Sequence, residues 1–475
     1  MKIHFIGIGG IGVSALARYY LQTASTVTGS DLSESEILDA LRKEGAKIDS
    51  SLQKFPISNF QFSNKFQKPD LVIYTPAVEK DNPELKMYQE MGIRCQSYPE
   101  ALGELTKKYF TIAVSGAHGK STTTSMLALV LIKAGLDPTV IVGTKLKEFG
   151  DSNFRLGKSK YLLIEADEWN ASFLNYWPKV IALTNIDREH LDYYHNLKNV
   201  IKSFRDYIFH LPKEGVLVAN NDDKNIFQII NPKSQIPNPK RFDKLSVLSE
   251  TEGKIPNPKS QILNFKIRKF SIKQKEAKEI KKILKVPGKH NVYNALAVLE
   301  TARALGVKDK ITYKALSEYK GVWRRFEESK LVIGHWSLVI ISDYAHHPNE
   351  VKATLEAARE KYPKSRIWCV FQPHQYLRTY LLFKDFVKIF RQAQNDYLID
   401  KMIVTDIYSV AGRESEEIKN KINSEKLVKK TNKKNVVYIK ESDVKNYLLK
   451  NIKDIEVLIV MGAGAIYKLA KELSG

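Results

Sequence analysis

Cysteine is scarce in this chain of 475 residues, which contains only Cys95 and Cys369. Two isolated thiols argue against a disulfide-stapled secreted domain and predict reduced cysteines, as is typical of a cytoplasmic protein. No Cys/His pattern has the spacing of a zinc site. Long hydrophobic runs are also absent, since no stretch reaches the roughly 20 apolar residues of a membrane-spanning helix. Met1 and Lys2 lead directly into a glycine loop, so no signal peptide is predicted.

Acidic residues are few relative to basic ones, and the formal net charge is +22, from 75 basic and 53 acidic residues. Such an excess raises the possibility of nucleic-acid binding. The lysines are nevertheless spread along the chain, with concentrations at 273–285 and 426–434, and no basic patch is interleaved with aromatic residues. We therefore predict no nucleic-acid partner and expect the positive field to favour small anionic substrates.

The most informative motif is the segment 114–123 (VSGAHGKSTT), which follows a β-rich run at 110–114 and precedes an apolar, helix-like run at 126–132. Gly116 and Gly119 let backbone N–H groups approach a polyphosphate. Lys120 supplies charge for the β- and γ-phosphates, and Ser121 can ligate Mg²⁺. The motif is a shortened P-loop, with Val114 where the full pattern has glycine. It predicts a nucleotide-triphosphate site; the alternative is a glycine turn with a solvated lysine.

A second glycine loop opens the chain, where Gly7, Gly9 and Gly12 fit GxGxxG between a strand and a helix. Asp31 follows at the spacing that places an acid near a ribose in a Rossmann unit. By itself the motif suggests an NAD-dependent dehydrogenase. A UDP-sugar also carries a pyrophosphate and a ribose, so the same loop suits it. A βα turn that binds nothing is a third interpretation.

Alternating strand and helix patterns predict an α/β protein of three domains. These are a Rossmann-like domain at 1–105, a central P-loop-type ATPase domain with a mostly parallel sheet at 106–320, and a Rossmann-like α/β domain at 321–475. A proline-rich segment at about 231–262, in which NPKSQI occurs twice, is interpreted as a surface insertion without a catalytic role. The predicted strands are 3–7, 26–30, 71–75, 93–96, 161–166, 180–185, 338–343, 366–371, 402–406 and 457–462.

Polar residues follow two of the central strands. Glu165 lies at the carboxyl end of the apolar run 161–166, Asn185 ends the run 180–185, and His190 and Asp192 follow it. In a doubly wound sheet these strand ends line the crevice that holds the phosphate loop. Hard oxygen ligands such as Ser121 and Glu165 suit one Mg²⁺, and His190 suits a second. Ordinary polar strand ends are the alternative.

Three later motifs have the character of the other half of a nucleotide site. Asn291 and Asn294 lie on one face of a helix that opens at 287–290. Arg324 and Arg325 lie side by side at a domain junction and suit phosphate clamping, although a solvated charge cluster is the alternative. The segment 343–348 (DYAHHP) ends a strand; its His-His pair suggests a metal site, but the sequence shows no third ligand at suitable spacing.

In this order, these motifs resemble the Mur ligase family, the ATP-dependent amino-acid ligases of peptidoglycan synthesis. The resemblance covers essentially the whole chain apart from the proline-rich segment. It rests on 7–12 (GIGGIG), 116–122 (GAHGKST), 165–168 (EADE), 343–348 (DYAHHP) and 371–379 (FQPHQYLRT). It implies the substrates UDP-N-acetylmuramate, L-alanine and ATP, with Mg²⁺. It also implies no membrane partner, a cytoplasmic location and a monomer or weak homodimer.

The resemblance further implies a role for each group of residues. The UDP-sugar would contact Gly7, Gly9, Gly10, Gly12, Ser30, Asp31, Thr75, Pro76 and Ala77. ATP would contact Gly116, Ala117, His118, Gly119, Lys120, Ser121, Thr122, His290, Asn291, Asn294, Arg324 and Asp343. Catalysis would involve Lys120, Glu165, His190, Arg324, Arg325 and His346. Mg²⁺ would be held by Ser121, Glu165 and His190, and the amino acid by His374 and Arg378.

Three competing readings stay open. A recycling branch of the same family adds a tripeptide to the same UDP-sugar. That branch typically has Glu-Pro-Arg where this chain has Gln372-Pro373-His374, which favours the alanine-adding branch. A dehydrogenase accounts only for the first glycine loop. A non-catalytic nucleotide-dependent binding protein accounts for the charge but not for the ordered polar motifs.

Overall fold

A computed structural model of the protein describes residues 1–50, 68–79, 81–231, 264–333, 336–410 and 414–474. The described residues form three sheets, of five, seven and six strands. Helices separate most of the strands along the chain. The predicted fold class, a three-part α/β protein with mostly parallel sheets, is confirmed. The proline-rich segment lies outside the described residues apart from Asn231. No helix among the described residues is both long and apolar enough to cross a membrane.

The N-terminal unit has a five-stranded, all-parallel sheet of order β3-β2-β1-β4-β5. Its elements are β1 (Lys2–Ile6), α1 (Ile11–Gln22), β2 (Thr26–Ser30), α2 (Glu36–Lys43), β3 (Lys47–Asp49), β4 (Leu71–Tyr74), α3 (Pro83–Glu90), β5 (Cys95–Ser97) and α4 (Tyr98–Lys108). The glycine loop occupies the β1–α1 turn, beside the point where the strand order reverses. In open parallel sheets this is the usual position of a ligand crevice.

The central unit has a seven-stranded sheet of order β12-β11-β10-β6-β9-β7-β8, in which only the β7–β8 pair is antiparallel. Its strands are β6 (Phe110–Ser115), β7 (Thr139–Leu146), β8 (Ser152–Arg155), β9 (Tyr161–Ala166), β10 (Val180–Leu183), β11 (Val216–Asn220) and β12 (Lys266–Phe270). Its α-helices are α5 (Lys120–Lys133), α6 (Leu191–Tyr194), α7 (Leu197–Ile208), α8 (Lys224–Ile230), α9 (Glu276–Ile283), α10 (Lys289–Ala304) and α11 (Asp309–Glu318). Short 3₁₀ helices span Lys147–Phe149 and Trp169–Asn175.

The C-terminal unit has a six-stranded sheet of order β13-β14-β18-β15-β16-β17, with only β13 antiparallel to its neighbour. Its strands are β13 (Glu327–Ile333), β14 (Trp336–Asp343), β15 (Ile367–Phe371), β16 (Lys401–Val404), β17 (Val436–Tyr438) and β18 (Val457–Met461). Its α-helices are α12 (Pro348–Lys361), α13 (Tyr376–Leu381), α14 (Phe383–Asn395), α15 (Glu416–Lys421), α16 (Ser424–Thr431), α17 (Glu441–Lys450) and α18 (Tyr467–Ser474). A 3₁₀ helix spans Ile452–Asp454.

Strand periodicity explains how each sheet is buried. Along β15, Ile367, Cys369 and Phe371 enter one apolar cluster, whereas Trp368 and Val370 enter another on the opposite face. Successive strand side chains point to opposite faces, so a strand covered on both sides is apolar throughout. The unbroken apolar runs of the sequence are therefore the interior strands.

The N-terminal and central units share one hydrophobic cluster. It contains Phe5 of β1, Leu102 and Leu105 of α4, and Ile164 and Ile181 of the central sheet. Helix α4 begins with a capping box, in which the Ser97 side chain and Glu100 satisfy each other's backbone N–H groups. This helix follows the last strand of one sheet and leads into the first strand of the next. The C-terminal unit has clusters of its own on the two faces of its sheet.

Candidate active site

The phosphate loop lies between β6 and α5, as the sequence predicts. Gly116 and Gly119 have φ values of 137° and 82°, a region that residues with a Cβ rarely adopt. Lys120, the first residue of α5, donates to the carbonyl oxygens of Gly116 (2.7 Å) and Ala117 (3.2 Å). The loop therefore folds around the lysine, and the N-terminus of a 14-residue helix faces the same space, which favours an anion.

Glu165, at the end of β9, lies directly beside the loop. Its carboxylate accepts a hydrogen bond from Ser121 Oγ (2.9 Å) and another from the N–H of Gly143 (2.7 Å). Burial raises the pKa of Glu165, although Lys120 and these two donors act against that rise. An oxygen-rich pair of Ser121 and Glu165 beside a phosphate loop has the donor chemistry that Mg²⁺ prefers.

Glu168 was not among the site residues predicted from the sequence, yet it is the principal partner of Lys120. Its Oε2 lies 2.7 Å from Lys120 Nζ, and its Oε1 lies 3.7 Å from His190 Nε2. Burial lowers the pKa of Lys120, but Glu168 and Asp167 outweigh that effect and raise it above the ordinary value. The lysine is therefore protonated. Asp167, Glu168 and His190 each place a donor atom within 4.8 Å of the others.

A cavity of about 620 Å³ connects the three units. The sequence-predicted residues that line it are Gly10, Gly12, Thr75, Pro76, Ala117, Gly119, Lys120, Ser121, Glu165, His190, Arg324, Arg325, His346, His374 and Arg378. All six residues predicted to be catalytic are in this set. Their individual roles stay predictions. Tyr98, Trp169, Tyr176 and Glu189 also line the cavity and were not predicted.

A second cavity, of about 280 Å³, lies between the central and C-terminal units. It is lined by the predicted nucleotide residues His118, Gly119, Thr122, His290, Asn291, Asn294 and Asp343, together with Arg325. Tyr319, Phe326 and Glu350 line it as well and were not predicted. The two cavities share Gly119, Arg325 and Glu350, so they meet beside the phosphate loop.

The remaining predicted residues line neither cavity, and several of them belong to the glycine loops or support them. Asp31 accepts the N–H of Gly9 at 2.8 Å, and Gly7 has a φ of 76° with Thr75 packed against it. Ser30 is buried, and its hydroxyl donates to Glu84 (2.6 Å) rather than lining either cavity. The five other predicted residues that line neither cavity are Gly7, Gly9, Asp31, Ala77 and Gly116.

The two adjacent arginines occupy different environments. Arg324 is buried with a φ of 56°, donates to the carbonyl oxygens of Gly462 and Gly464, and lies over the Tyr344 and Tyr467 rings. Burial lowers its pKa to about 10. The Arg325 guanidinium also lies over the Tyr344 ring, 4.8 Å from its centre. Arg325 lines both cavities, whereas Arg324 lines only the larger one.

The C-terminal unit brings three further predicted residues to the large cavity. His346 Nδ1 lies 3.2 Å from Glu350 Oε2, and burial lowers the pKa of His346 to about 4, so its imidazole is neutral. His374 stacks on Tyr408 with a ring-centre distance of 5.4 Å. Arg378 contacts His374 Nδ1 (3.2 Å) and the buried carboxylate of Glu189 (3.4 Å). A guanidinium on the wall of a cavity is well suited to bind the carboxylate of a ligand.

Gly119→Ala offers a direct test of the loop. An added Cβ would lie 2.3 Å from Asn294 Oδ1, at a φ of 82°. We expect ATP affinity to fall about tenfold or more, because Asn294 must move out of the nucleotide cavity. Gly135→Ala is the matched control, since Gly135 has a φ of 76° and open space around its Cβ position. Both variants should lose about 1 kcal/mol of unfolding free energy. Equal ATP affinity in the two variants, measured by calorimetry, would contradict this placement of Asn294.

His118 joins the phosphate loop to the C-terminal unit. Its Nε2 lies 2.9 Å from Asp187 Oδ2, and its Nδ1 lies 3.2 Å from Glu350 Oε1. Burial acts to lower the pKa of His118, but the two carboxylates dominate and raise it to about 10. The imidazolium is therefore an ionic link between residues 232 positions apart in the chain.

This raised pKa makes stability depend on pH. Since the folded pKa exceeds the ordinary value of about 6.5, the stabilisation is complete below about pH 6.5 and is lost as the pH rises through 10. We expect the difference in unfolding free energy between wild type and His118→Gln to shrink by roughly 3 kcal/mol from pH 7 to pH 9.5. Urea unfolding at both pH values measures it. A difference that does not change with pH would mean that His118 is neutral in the folded chain.

The fold and the cavities define an enzyme that uses a nucleotide at the meeting point of three α/β units. Comparison with protein families matches the three units in order: the Mur ligase family catalytic domain over residues 2–110, the Mur ligase middle domain over 114–302 and the Mur ligase glutamate ligase domain over 324–464. The chain belongs to the Mur ligase family.

Individual relatives match this chain over nearly its whole length. The chain is 38% identical to the UDP-N-acetylmuramate–L-alanine ligase of Caldanaerobacter subterraneus subsp. tengcongensis, over 99% of this chain and 96% of the relative. It is 39% identical to the ligase of the same name from Alkaliphilus metalliredigens, with the same coverage. The crystal structure of UDP-N-acetylmuramate-alanine ligase from Thermotoga maritima superposes with a TM-score of 0.72 at 26% identity, covering 100% of this chain and 98% of that one.

Proposed function

We propose that this chain is an ATP-dependent ligase of peptidoglycan precursor synthesis. It joins L-alanine to the lactyl carboxylate of UDP-N-acetylmuramate and yields ADP, phosphate and UDP-N-acetylmuramoyl-L-alanine. The observation that carries the proposal is the cavity of about 620 Å³. It is lined at once by the N-terminal glycine loop, the phosphate loop and the His374–Arg378 segment. A three-substrate ligation needs this convergence, and the full-length similarity to alanine-adding ligases names the substrates.

The chemistry follows from the weakness of a carboxylate as an acyl donor. The lactyl carboxylate oxygen attacks the γ-phosphorus of ATP, the bond to the bridging oxygen breaks, and ADP leaves with an acyl phosphate formed. The alanine amine then attacks the acyl carbon, and the tetrahedral intermediate expels phosphate. Lys120 stabilises charge on the transferring phosphoryl group, and Arg325 is placed to do the same from the facing unit. Holding the two anions, the lactyl carboxylate and ATP, in the reactive orientation supplies much of the rate enhancement.

The residues around the loop fit Mg²⁺. Ser121 and Glu165 offer hard oxygen ligands 2.9 Å apart, and His190 lines the same cavity. Glu168 Oε1 is buried and has no hydrogen-bond partner among the described residues, which is costly unless a cation or donor arrives. When bound, Mg²⁺ would neutralise phosphate charge. Ser121, Glu165 and His190 are the residues we propose to hold it, with Glu168 keeping Lys120 in place.

The amino-acid end of the cavity suits a small zwitterion. Arg378 is the proposed partner of the alanine carboxylate, and its contact with His374 fixes the two side chains together. The neutral imidazole of His346, also on the cavity wall, can accept a proton from the attacking amine. We also propose a cytoplasmic location, where ATP and UDP-sugars occur, and a monomer or weak homodimer.

Phosphate release tests the proposal directly. The purified chain is assayed with ATP, Mg²⁺ and UDP-N-acetylmuramate, and each amino acid is added in turn. We expect release that requires both the UDP-sugar and L-alanine. Release with a tripeptide but not with L-alanine would move the chain to the recycling branch. No release with any amino donor, in folded protein that still binds ATP, would leave a nucleotide-binding protein without ligase activity.

A further inference from the structure

A cluster of three side chains lies beside the residues assigned to Mg²⁺ and shares none of them. His118 comes from the phosphate loop, Glu189 from the segment after β10, and His347 from the residue preceding α12. One donor atom from each lies within 4.8 Å of the other two. Two units of the protein therefore contribute to one small group of metal-ligating atoms.

Two atoms of this cluster lack partners. Glu189 is 4% exposed and His347 is 3% exposed. Glu189 Oε1 and His347 Nε2 are both buried and have no hydrogen-bond partner in the part of the chain that the structure describes. Leaving one such atom unpaired costs about 1–3 kcal/mol, and a carboxylate oxygen more. Buried ligand atoms without partners on two residues of one cluster indicate that a bound ion or molecule satisfies them.

We propose that His118, Glu189 and His347 form a binding site for a divalent transition-metal ion, separate from the Mg²⁺ that accompanies ATP. Two imidazoles and one carboxylate favour Zn²⁺, Co²⁺ or Fe²⁺, whereas Mg²⁺ prefers oxygen ligands throughout. The three protein ligands leave further positions for water, as in many open metal sites.

The surroundings provide the outer support that such sites need. Metal-bound histidines usually pass their other N–H group to a carboxylate, which fixes the ring. Asp187 Oδ2 lies 2.9 Å from His118 Nε2 and 3.7 Å from His347 Nδ1. Glu350 contacts the other nitrogen of His118 at 3.2 Å. A cation on either nitrogen of His118 displaces the proton that the imidazolium carries there, together with its carboxylate contact, and keeps the other carboxylate behind the ring. His347 Nδ1 accepts the Asn349 N–H (3.3 Å) and lies 3.7 Å from Asp187 Oδ2. A cation at Nε2 requires the ring proton to move to Nδ1, where Asp187 accepts it in place of the Asn349 contact.

The proposed metal site lies where the central and C-terminal units meet. His118 and Glu189 belong to the central unit and His347 to the C-terminal unit, so a bound cation fastens the two units together beside the phosphate loop. This role does not depend on the ligase reaction, and binding is therefore testable without substrates.

The test is a titration of Co²⁺ into the metal-free, full-length chain, with excess Mg²⁺ and no nucleotide. Binding is followed by visible absorbance of Co²⁺ and by metal content after dialysis. We expect one tightly bound Co²⁺ in wild type. His347→Asn and Glu189→Gln should each weaken it at least roughly tenfold. His195→Asn is the matched control, because His195 is exposed, outside the cluster, and at a φ of 64° that asparagine tolerates.

Three results would overturn the site. One is the absence of Co²⁺ uptake by folded wild-type protein. Another is unchanged uptake in both His347→Asn and Glu189→Gln. The third is uptake that is abolished by Glu165→Gln but kept by His347→Asn, which would place the ion at the residues assigned to Mg²⁺. Circular dichroism checks the fold of each variant. If His347→Asn does not fold, the nearly isosteric Glu189→Gln decides.

Discussion

Replacing Lys120 with alanine should reduce kcat by about 10³-fold or more, equivalent to roughly 4 kcal/mol of transition-state stabilisation. The lysine is protonated, part-buried and held by two loop carbonyls and by Glu168. Its charge is therefore fixed before the substrate arrives, which makes it effective on a developing phosphoryl charge. Steady-state phosphate release with all three substrates measures the loss.

The control for this variant lies on the same helix. Lys133 ends α5, is exposed, and pairs with Glu318 at 2.7 Å. Lys133→Ala removes an equal charge from the protein's overall field and should leave kcat within about twofold, since exposed pairs contribute little. A Lys120→Ala protein with near-normal turnover would contradict the assignment of the phosphate loop. A similar loss in both variants would point to the long-range field instead.

Replacing Arg378 with alanine should lower kcat/KM for L-alanine by about 10²-fold or more, while KM for ATP changes little. A charge-assisted contact with a carboxylate contributes about 1.5–3 kcal/mol, and the loss also leaves Glu189 without its closest cation. Initial rates with each substrate varied in turn separate these effects.

Arg366→Ala is the comparison variant, because Arg366 is exposed, pairs with Asp454 at 3.6 Å and precedes β15, whereas the cavity residue His374 follows that strand. It should leave every kinetic parameter close to wild type. Arg378→Lys should recover only part of the activity, since an ammonium cannot make the planar two-point contact of a guanidinium. An equal rise in KM for all three substrates would instead indicate a general loss of structure at the cavity.

Much of the fold was predictable because interior parallel strands are short, apolar and bounded by turns. Strands β2 and β9 coincide with the predicted 26–30 and 161–166, whereas the predicted 93–96 lies at Cys95–Ser97. The edge strand β13 was not predicted. It begins with Glu327 and Glu328 and, as an edge strand, has β14 as its single neighbour in the sheet. A half-polar edge strand has no periodic signal of its own, and its pairing depends on a neighbour further along the chain.

The candidate site likewise contains residues that could be predicted from local sequence and residues that depend on contacts between distant segments. Phosphate-loop residues were predictable because the loop is local and its glycines and lysine have fixed spacing. The partners of His118 and Lys120 were not, because Glu350 and Glu168 reach them only through the assembled sheets. Ser30 is the opposite case, a residue that was predicted to belong to the site but lines neither cavity. The resemblance implies that Ser30, the last residue of β2, contacts the UDP-sugar, but its hydroxyl is buried and donates to Glu84.

The hydrophobic cluster shared by the first two sheets has a consequence for how the protein unfolds. Phe5 and Leu105 cannot be exposed without exposing Ile164 of the neighbouring sheet, so these two units form one cooperative block. The third sheet has its own clusters and is a second block. We therefore expect denaturation in two steps, each with its own melting temperature. A ligand that bridges the cavity couples the two steps by stabilising only the state in which both blocks are folded.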